Sequence, residues 1–167
     1  VVDLTPCGHL LGASSVGLRA DGRRLVYFGD LGRSDDLLMP PPQACTQADV
    51  LLVESTYGNR KHPQEDAAAR LGQIIRATVR RGGSVLLPSF AVGRAQALLL
   101  VLQRLKAAGE IPEDMPIFLD SPMATTATTL YQRHRKLLRI LPREAATLTD
   151  GVTITASVQA SQRLTRS

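Results

Sequence analysis

The sequence predicts an α/β protein in two parts: an antiparallel hairpin with one further strand, then a layer of parallel strands and helices. Three observations carry that expectation. Asp21-Gly22 separates two short runs of strand-forming residues, the arrangement of a tight two-residue hairpin. The stretch "ADVLLVES" (Ala48–Ser55) follows, an apolar run unbroken over Val50–Val53 that meets an acid at Glu54. From residue 63 onward, helical periodicities alternate with short apolar runs, which is the rhythm of parallel βαβ units.

In chain order, "SSVGLRA" (Ser14–Ala20) and "RRLVYFGD" (Arg23–Asp30) come first as the two hairpin strands. The loop Arg33–Gln47 holds three consecutive prolines, which exclude regular structure. Ala48–Ser55 reads as a buried strand because nothing polar interrupts its centre. Pro63–Gly83 then places Ala67, Ala68, Leu71, Ile74, Ile75, Thr78 and Val79 on one helical face. Acids at its start and arginines and glycines at its end fit helix termini. Ser84–Ser89 reads as a short strand, Ala91–Gly109 as a second helix and Met115–Pro122 as a strand. Ala124–Leu138 reads as a third helix, Gly151–Ser157 as a strand, and Val158–Ser167 as the start of another helix. The hairpin does not share this rhythm, so a domain boundary is expected near Tyr57–His62. Neither internal repeats nor low-complexity segments interrupt the pattern.

Composition narrows the class. Of 167 residues, 44% are hydrophobic and 21% charged, the balance of a soluble globular protein. Aromatics make up 4% and Trp is absent, so the core must come from Leu, Val, Ile and Ala. A formal charge of +5 suits a polyanionic partner such as nucleic acid; it equally suits arginine-rich solvated helix faces. Cys7 and Cys45 form no CxxC pair and are too few for a disulfide framework, which fits a reducing, cytoplasmic setting. No apolar run approaches the roughly 18 residues of a membrane span, so no membrane partner is expected.

Certain residues carry candidate chemistry. His9 lies in the glycine-bracketed loop "GHLLG", and Asp30 follows the second hairpin strand. Strands of similar length joined by a tight turn return to their starting edge, so both should stand at one end of the hairpin. Glu54 joins them if its strand pairs parallel to Arg24–Phe28. An imidazole and carboxylates gathered at a sheet edge suit a borderline metal such as zinc. The same residues also suit a backbone-bonded loop histidine and an ordinary Gly-Asp turn. Elsewhere, Ser89, Gly93 and Arg94 sit where a strand meets a helix, and Asp120, Ser121, Thr125 and Thr126 form a similar junction. Free N–H groups at helix starts, with a hydroxyl and a guanidinium nearby, suit an RNA phosphate; the competing reading is plain helix capping. "RRG" (Arg80–Gly82) fits a solvated helix end. "QRHRKLLR" (Gln132–Arg139) fits an RNA-facing surface but has no aromatics nearby for stacking. Tyr57 and His62 flank the expected boundary.

The ordered motifs "GHLLGASSV", "VYFGDLGR", "LLVESTYGNRKH", "VLLPSFAVGRAQALL" and "IFLDSPMATTATTLY" together resemble the β-CASP branch of the metallo-β-lactamase-fold hydrolases. That branch includes RNA-processing nucleases such as ribonuclease J and the cleavage and polyadenylation endonuclease. The resemblance implies that residues 1–58 are the C-terminal part of a first metallo-β-lactamase segment of αββα sandwich type. Residues 59–167 would be the N-terminal part of a β-CASP parallel α/β domain. It implies His9 as a ligand to one zinc and Asp30 as a catalytic ligand bridging two. Glu54 would lie beside them as a catalytic residue that orients a histidine or assists leaving-group protonation. Ser89, Arg94, Asp120 and Ser121 remain the candidate RNA contacts.

The family's main metal motif, HxHxDH, has no counterpart here: the histidines are His9, His62 and His134, none close to another. With a first residue other than Met, this leads to the expectation of a fragment that binds zinc weakly and does not turn over. The implied parent hydrolyses RNA phosphodiester bonds, with RNA as partner and a homodimer left open as its assembly. Two alternatives stand beside it: a non-catalytic β-CASP scaffold in an RNA-processing complex, and a related hydrolase of DNA or a small ester.

Overall fold

The computed structural model describes residues 1–61, 65–155, 159, 161 and 162. They fall into two compact units, Val1–His62 with Lys136–Ile140, and Pro63–Arg135 with Leu141–Ser167.

The first unit is built on a four-stranded sheet in the order β1 (Val2–Pro6), β2 (Ser14–Ala20), β3 (Arg23–Phe28) and β4 (Val50–Val53). The hairpin forms as expected. Asp21 (φ 49°) and Gly22 (φ 73°) both take the left-handed conformation that a tight primed turn demands. β1 adds a strand that the sequence pattern does not announce, pairing antiparallel to β2 with Val2 opposite Leu18 and Pro6 opposite Ser14. It is short and ends in a proline, so its pattern carries little signal; an edge strand tolerates that missing donor. β4 pairs parallel to β3, Val50 opposite Leu25 and Val53 opposite Phe28.

The expectation that this apolar strand is buried does not hold. Val50, Leu51, Leu52 and Val53 are each about half exposed, between 46% and 53%, because β4 is the sheet's edge among the described residues. The register and the two-residue alternation of side chains sort the sheet into two faces. Val26 and Phe28 are buried on one face with Cys7, packed against Ala13 and Ala48. The other face carries Val2, Leu4, Val16, Leu18, Leu25, Tyr27, Val50 and Leu52, most of them exposed. In the proline-rich loop, Asp36 accepts from the Leu38 and Met39 N–H groups at 2.8 and 2.7 Å and so fixes two buried residues. Arg139 donates its N–H to the Leu38 carbonyl and its guanidinium to those of Ser34 and Asp36.

The second unit holds α1 (Ala67–Arg80), α2 (Arg94–Ala107), α3 (Pro122–Arg133) and α4 (Pro142–Ala146), with β5 (Ile117–Leu119) paired parallel to β6 (Val152–Ile154). Asp66 caps α1, accepting from the Ala68 and Ala69 N–H groups at 3.0 Å each and satisfying donors the helix leaves unpaired. Gly72 lets α1 approach α2: a Cβ there would lie 3.2 Å from a Leu105 methyl. The amphipathic pattern then buries Ile75, and Leu99, Leu100, Leu102 and Leu105 of α2 and Ala127 and Tyr131 of α3 are buried in the same unit.

Three expectations from the sequence change in this unit. Residues 84–89 form no strand; among the described residues β5 pairs only with β6, and Pro88 has no N–H to offer a ladder. The third helix closes at His134 and continues only as a 3₁₀ turn, Arg135–Leu137. α4 is an unexpected short helix with Pro142 at its first position, and Glu144 turns back to accept the Leu141 N–H at 3.1 Å. The expected terminal helix falls largely outside the described residues, as does His62.

Candidate metal and nucleic-acid sites

In the first unit, β1, β3 and β4 run in the same direction. Their C-terminal ends therefore lie at one end of the sheet, and each is followed by one of the candidate residues. The loop after β1 is closed by the Cys7 N–H to the Ala13 carbonyl at 3.0 Å, and it carries His9. The loop after β3 carries Asp30. The two loops are joined directly: the Cys7 thiol donates to the Asp30 carbonyl at 3.2 Å, and the Gly32 N–H donates to the Cys7 carbonyl at 2.8 Å. The join is so close that a Cβ on Gly32 would stand 2.0 Å from the Gly8 carbonyl carbon and 2.5 Å from the His9 nitrogen. Gly8 is itself in the left-handed conformation, against the Pro40 carbonyl.

Glu54, just beyond β4, completes the group. Its carboxylate accepts the Leu31 N–H at 2.8 Å. The carboxyl is held below its ordinary pKa chiefly by the Thr56 hydroxyl and then by the Leu31 N–H. Partial desolvation opposes them, while the Thr56 N–H and the nearby His9 charge add to the lowering. His9 and Asp30 are exposed and Glu54 is partly covered. The backbones thus bring His9, Asp30 and Glu54 to one place. Among the described residues, no group of three or more His, Cys, Asp and Glu side chains is arranged to hold a metal ion.

The second unit gathers the other candidates. Ser89, Asp120 and Ser121 line one cleft of about 1210 Å³. Asp120 accepts the Thr155 hydroxyl at 2.6 Å and the Ser161 hydroxyl at 2.7 Å. Those two bonds, in that order, lower its pKa against a smaller opposing desolvation. Ser121 caps α3, accepting the Ala124 N–H at 3.2 Å. At the start of α2 the first N–H groups are already used: Arg94 donates to the Val92 carbonyl at 3.0 Å and Ala95 to that of Phe90 at 3.2 Å. The expectation of free donors at this helix start is therefore corrected for Arg94 and Ala95, because the preceding turn folds back and supplies their acceptors itself.

One residue of this region gives little sign of its role in the sequence. Gln96 is 0% exposed. Its amide oxygen accepts the Gly93 N–H at 2.7 Å, and its amide nitrogen donates to Ala91, Ala124 and Thr128 oxygens at 3.0, 3.3 and 2.9 Å. A glutamine three residues into a helix, after a Gly, is the available signal; a buried polar group must find partners, and this one finds four.

Residues 95–167 match the Beta-Casp domain. Relatives match over a longer stretch. "Ribonuclease TTHA0252" of Thermus thermophilus is 42% identical over 127 residues, 75% of this chain and 29% of that protein. The "RNase J-like protein" of Methanocaldococcus jannaschii is 34% identical over 131 residues, 76% of this chain and 31% of its own length. "Cleavage and polyadenylation specificity factor 73" of Drosophila melanogaster is 36% identical over 129 residues, 76% of this chain and 19% of its own length. The chain belongs to the β-CASP family. As a β-CASP protein it spans less than a third of the length of these relatives, two of which bear nuclease names. The matched domain takes in Gln96, Asp120 and Ser121.

Proposed function

We propose that this β-CASP chain is part of a zinc-dependent ribonuclease that hydrolyses RNA phosphodiester bonds in RNA processing or decay. The observation that carries the reading is the direct joining of the His9 and Asp30 loops through Cys7 and Gly32, with Glu54 anchored to the same backbone. In that reading His9 and Asp30 are zinc ligands. A zinc site needs about three or four protein donors, so these two fit as a part of one, and further donors must come from outside the described residues. Zinc held by His9 and Asp30 together with further donors would supply Lewis acidity toward water and charge stabilisation for phosphate.

The chain's own contribution is positioning. The Glu54 carboxylate fixes the Leu31 N–H, next to Asp30, and lies beside His9. That arrangement favours an orienting role over proton delivery to a leaving group. The exposed apolar face of the four-stranded sheet supports the sandwich half of the fold reading, since a face of that composition is normally covered by a second layer.

The test uses matched RNA and DNA oligonucleotides with the complete gene product, with zinc present and after chelation. RNA cleavage that is lost on chelation and in Asp30→Ala is the expected result. Cleavage of DNA alone, or RNA cleavage that survives chelation, would refute the proposal. The 167-residue chain by itself is expected to bind zinc weakly and substoichiometrically in elemental analysis.

A further inference from the structure

We propose that the turn Ser89–Arg94 is a docking site for a nucleotide of single-stranded RNA, with the Phe90 ring stacking on the base and the Arg94 guanidinium meeting a phosphate. The proposal rests on the ribonuclease reading above and adds a recognition element to it. Phe90 is 79% exposed, in a chain that has only three phenylalanines and no tryptophan. Its backbone is nonetheless fixed. The Phe90 carbonyl accepts the Ala95 N–H at 3.2 Å and the Val92 carbonyl accepts the Arg94 N–H at 3.0 Å. Gln96 holds the same turn from beneath through Ala91 and Gly93, and ties it to α3 through Ala124 and Thr128. An aromatic ring held outward from a fixed backbone gives up little conformational entropy on stacking.

The neighbours supply the rest of a nucleotide site. Ser89 and Ala91, on either side of Phe90, line the cleft of the second unit, while Phe90 does not. The ring therefore stands outside the cleft, beside its wall. Arg94 is exposed and forms no ion pair among the described residues. An aromatic face, an uncompensated cation and a hydroxyl within one short turn form the kind of sequence-tolerant platform that single strands use. The net charge of +5 favours a polyanion over a protein surface as the occupant.

The experiment measures binding of the complete gene product to single-stranded RNA carrying 2-aminopurine, across a salt series, with thermal midpoints recorded for each variant. Phe90→Ala should weaken binding about tenfold and abolish the stacking quench of 2-aminopurine, with an unchanged midpoint. Phe90→Tyr should keep both. Arg94→Ala should reduce the salt slope by about 0.7. Wild-type affinity and quenching in Phe90→Ala would overturn the proposal while leaving the ribonuclease reading in place. A wild-type protein that binds no RNA would overturn both.

Discussion

Replacing Gly32 with alanine tests whether the joining of the two loops builds the site. Gly32 has no left-handed conformation to preserve, so the whole effect of the added methyl comes from contact. That methyl would lie 2.0 Å from the Gly8 carbonyl carbon and 2.1 Å from its oxygen, where ordinary contacts begin at 3.4 Å. The obstructing atoms are backbone, so no side chain can swing away. The His9 and Asp30 loops must then separate by about 1.4 Å, at a cost of about 1–3 kcal/mol for overpacking. Thermal unfolding should show a midpoint lower by about 5–20 °C. In the complete gene product, displacement of reacting groups by about 1 Å or more should reduce RNA cleavage about 100-fold. Gly29→Ala is the matched control. It lies on the same loop, and its methyl would meet the Tyr27 hydroxyl at an ordinary 3.5 Å, so stability should stay within about 1 kcal/mol of wild type. Equal stability and activity of Gly32→Ala and Gly29→Ala would refute the reasoning.

Gln96→Leu keeps the volume but removes four hydrogen bonds. Thr128 and Ala124 still bond each other at 2.7 Å, so the Gly93 N–H and the Ala91 carbonyl are the groups orphaned; urea unfolding should report a loss of about 2–4 kcal/mol. A change under about 0.5 kcal/mol would show that the turn holds itself without the amide. Asp120→Asn probes the bonds from Thr155 and Ser161. The folded carboxyl has a lowered pKa, so its stabilisation is present above its unfolded value of about 4 and disappears as pH falls through the folded value. The gap in urea midpoint between wild type and Asp120→Asn should therefore be open at about pH 7 and close in acid; a gap independent of pH would contradict the assignment. Glu54→Gln keeps an acceptor for the Leu31 N–H, whereas Glu54→Ala removes it. An orienting role predicts a smaller loss of RNA cleavage for Gln than for Ala, and equal losses would point to the charge.

Much of the candidate metal site is legible in the amino-acid order itself. Asp21-Gly22 specifies a two-residue turn, and a hairpin with such a turn must return Asp30 to the end where His9 begins. Glu54 joins them only if its strand pairs parallel to the second hairpin strand, a condition the sequence leaves open and the structure meets. What periodicity cannot show is who sits beside whom. The apolar pattern of Val50–Val53 is the same whether a strand is central or at an edge. Only the lack of a neighbour beyond β4, among the described residues, leaves it half exposed. Residues 84–89 look like a strand by side chain, yet a strand also needs a partner for its backbone.

The sequence by itself therefore determined the family, the order of the three longer helices in the second unit, and the residues that meet at the sheet end. These are properties of local periodicity, turn chemistry and motif spacing. The tertiary structure alone decided that Cys7 and Gly32 join the loops, that Gln96 binds the turn before α2 to α3, and that Phe90 is left facing solvent. Each of those depends on atoms from distant parts of the chain meeting, or failing to meet, at hydrogen-bond or van der Waals range, and no short window of sequence contains both partners.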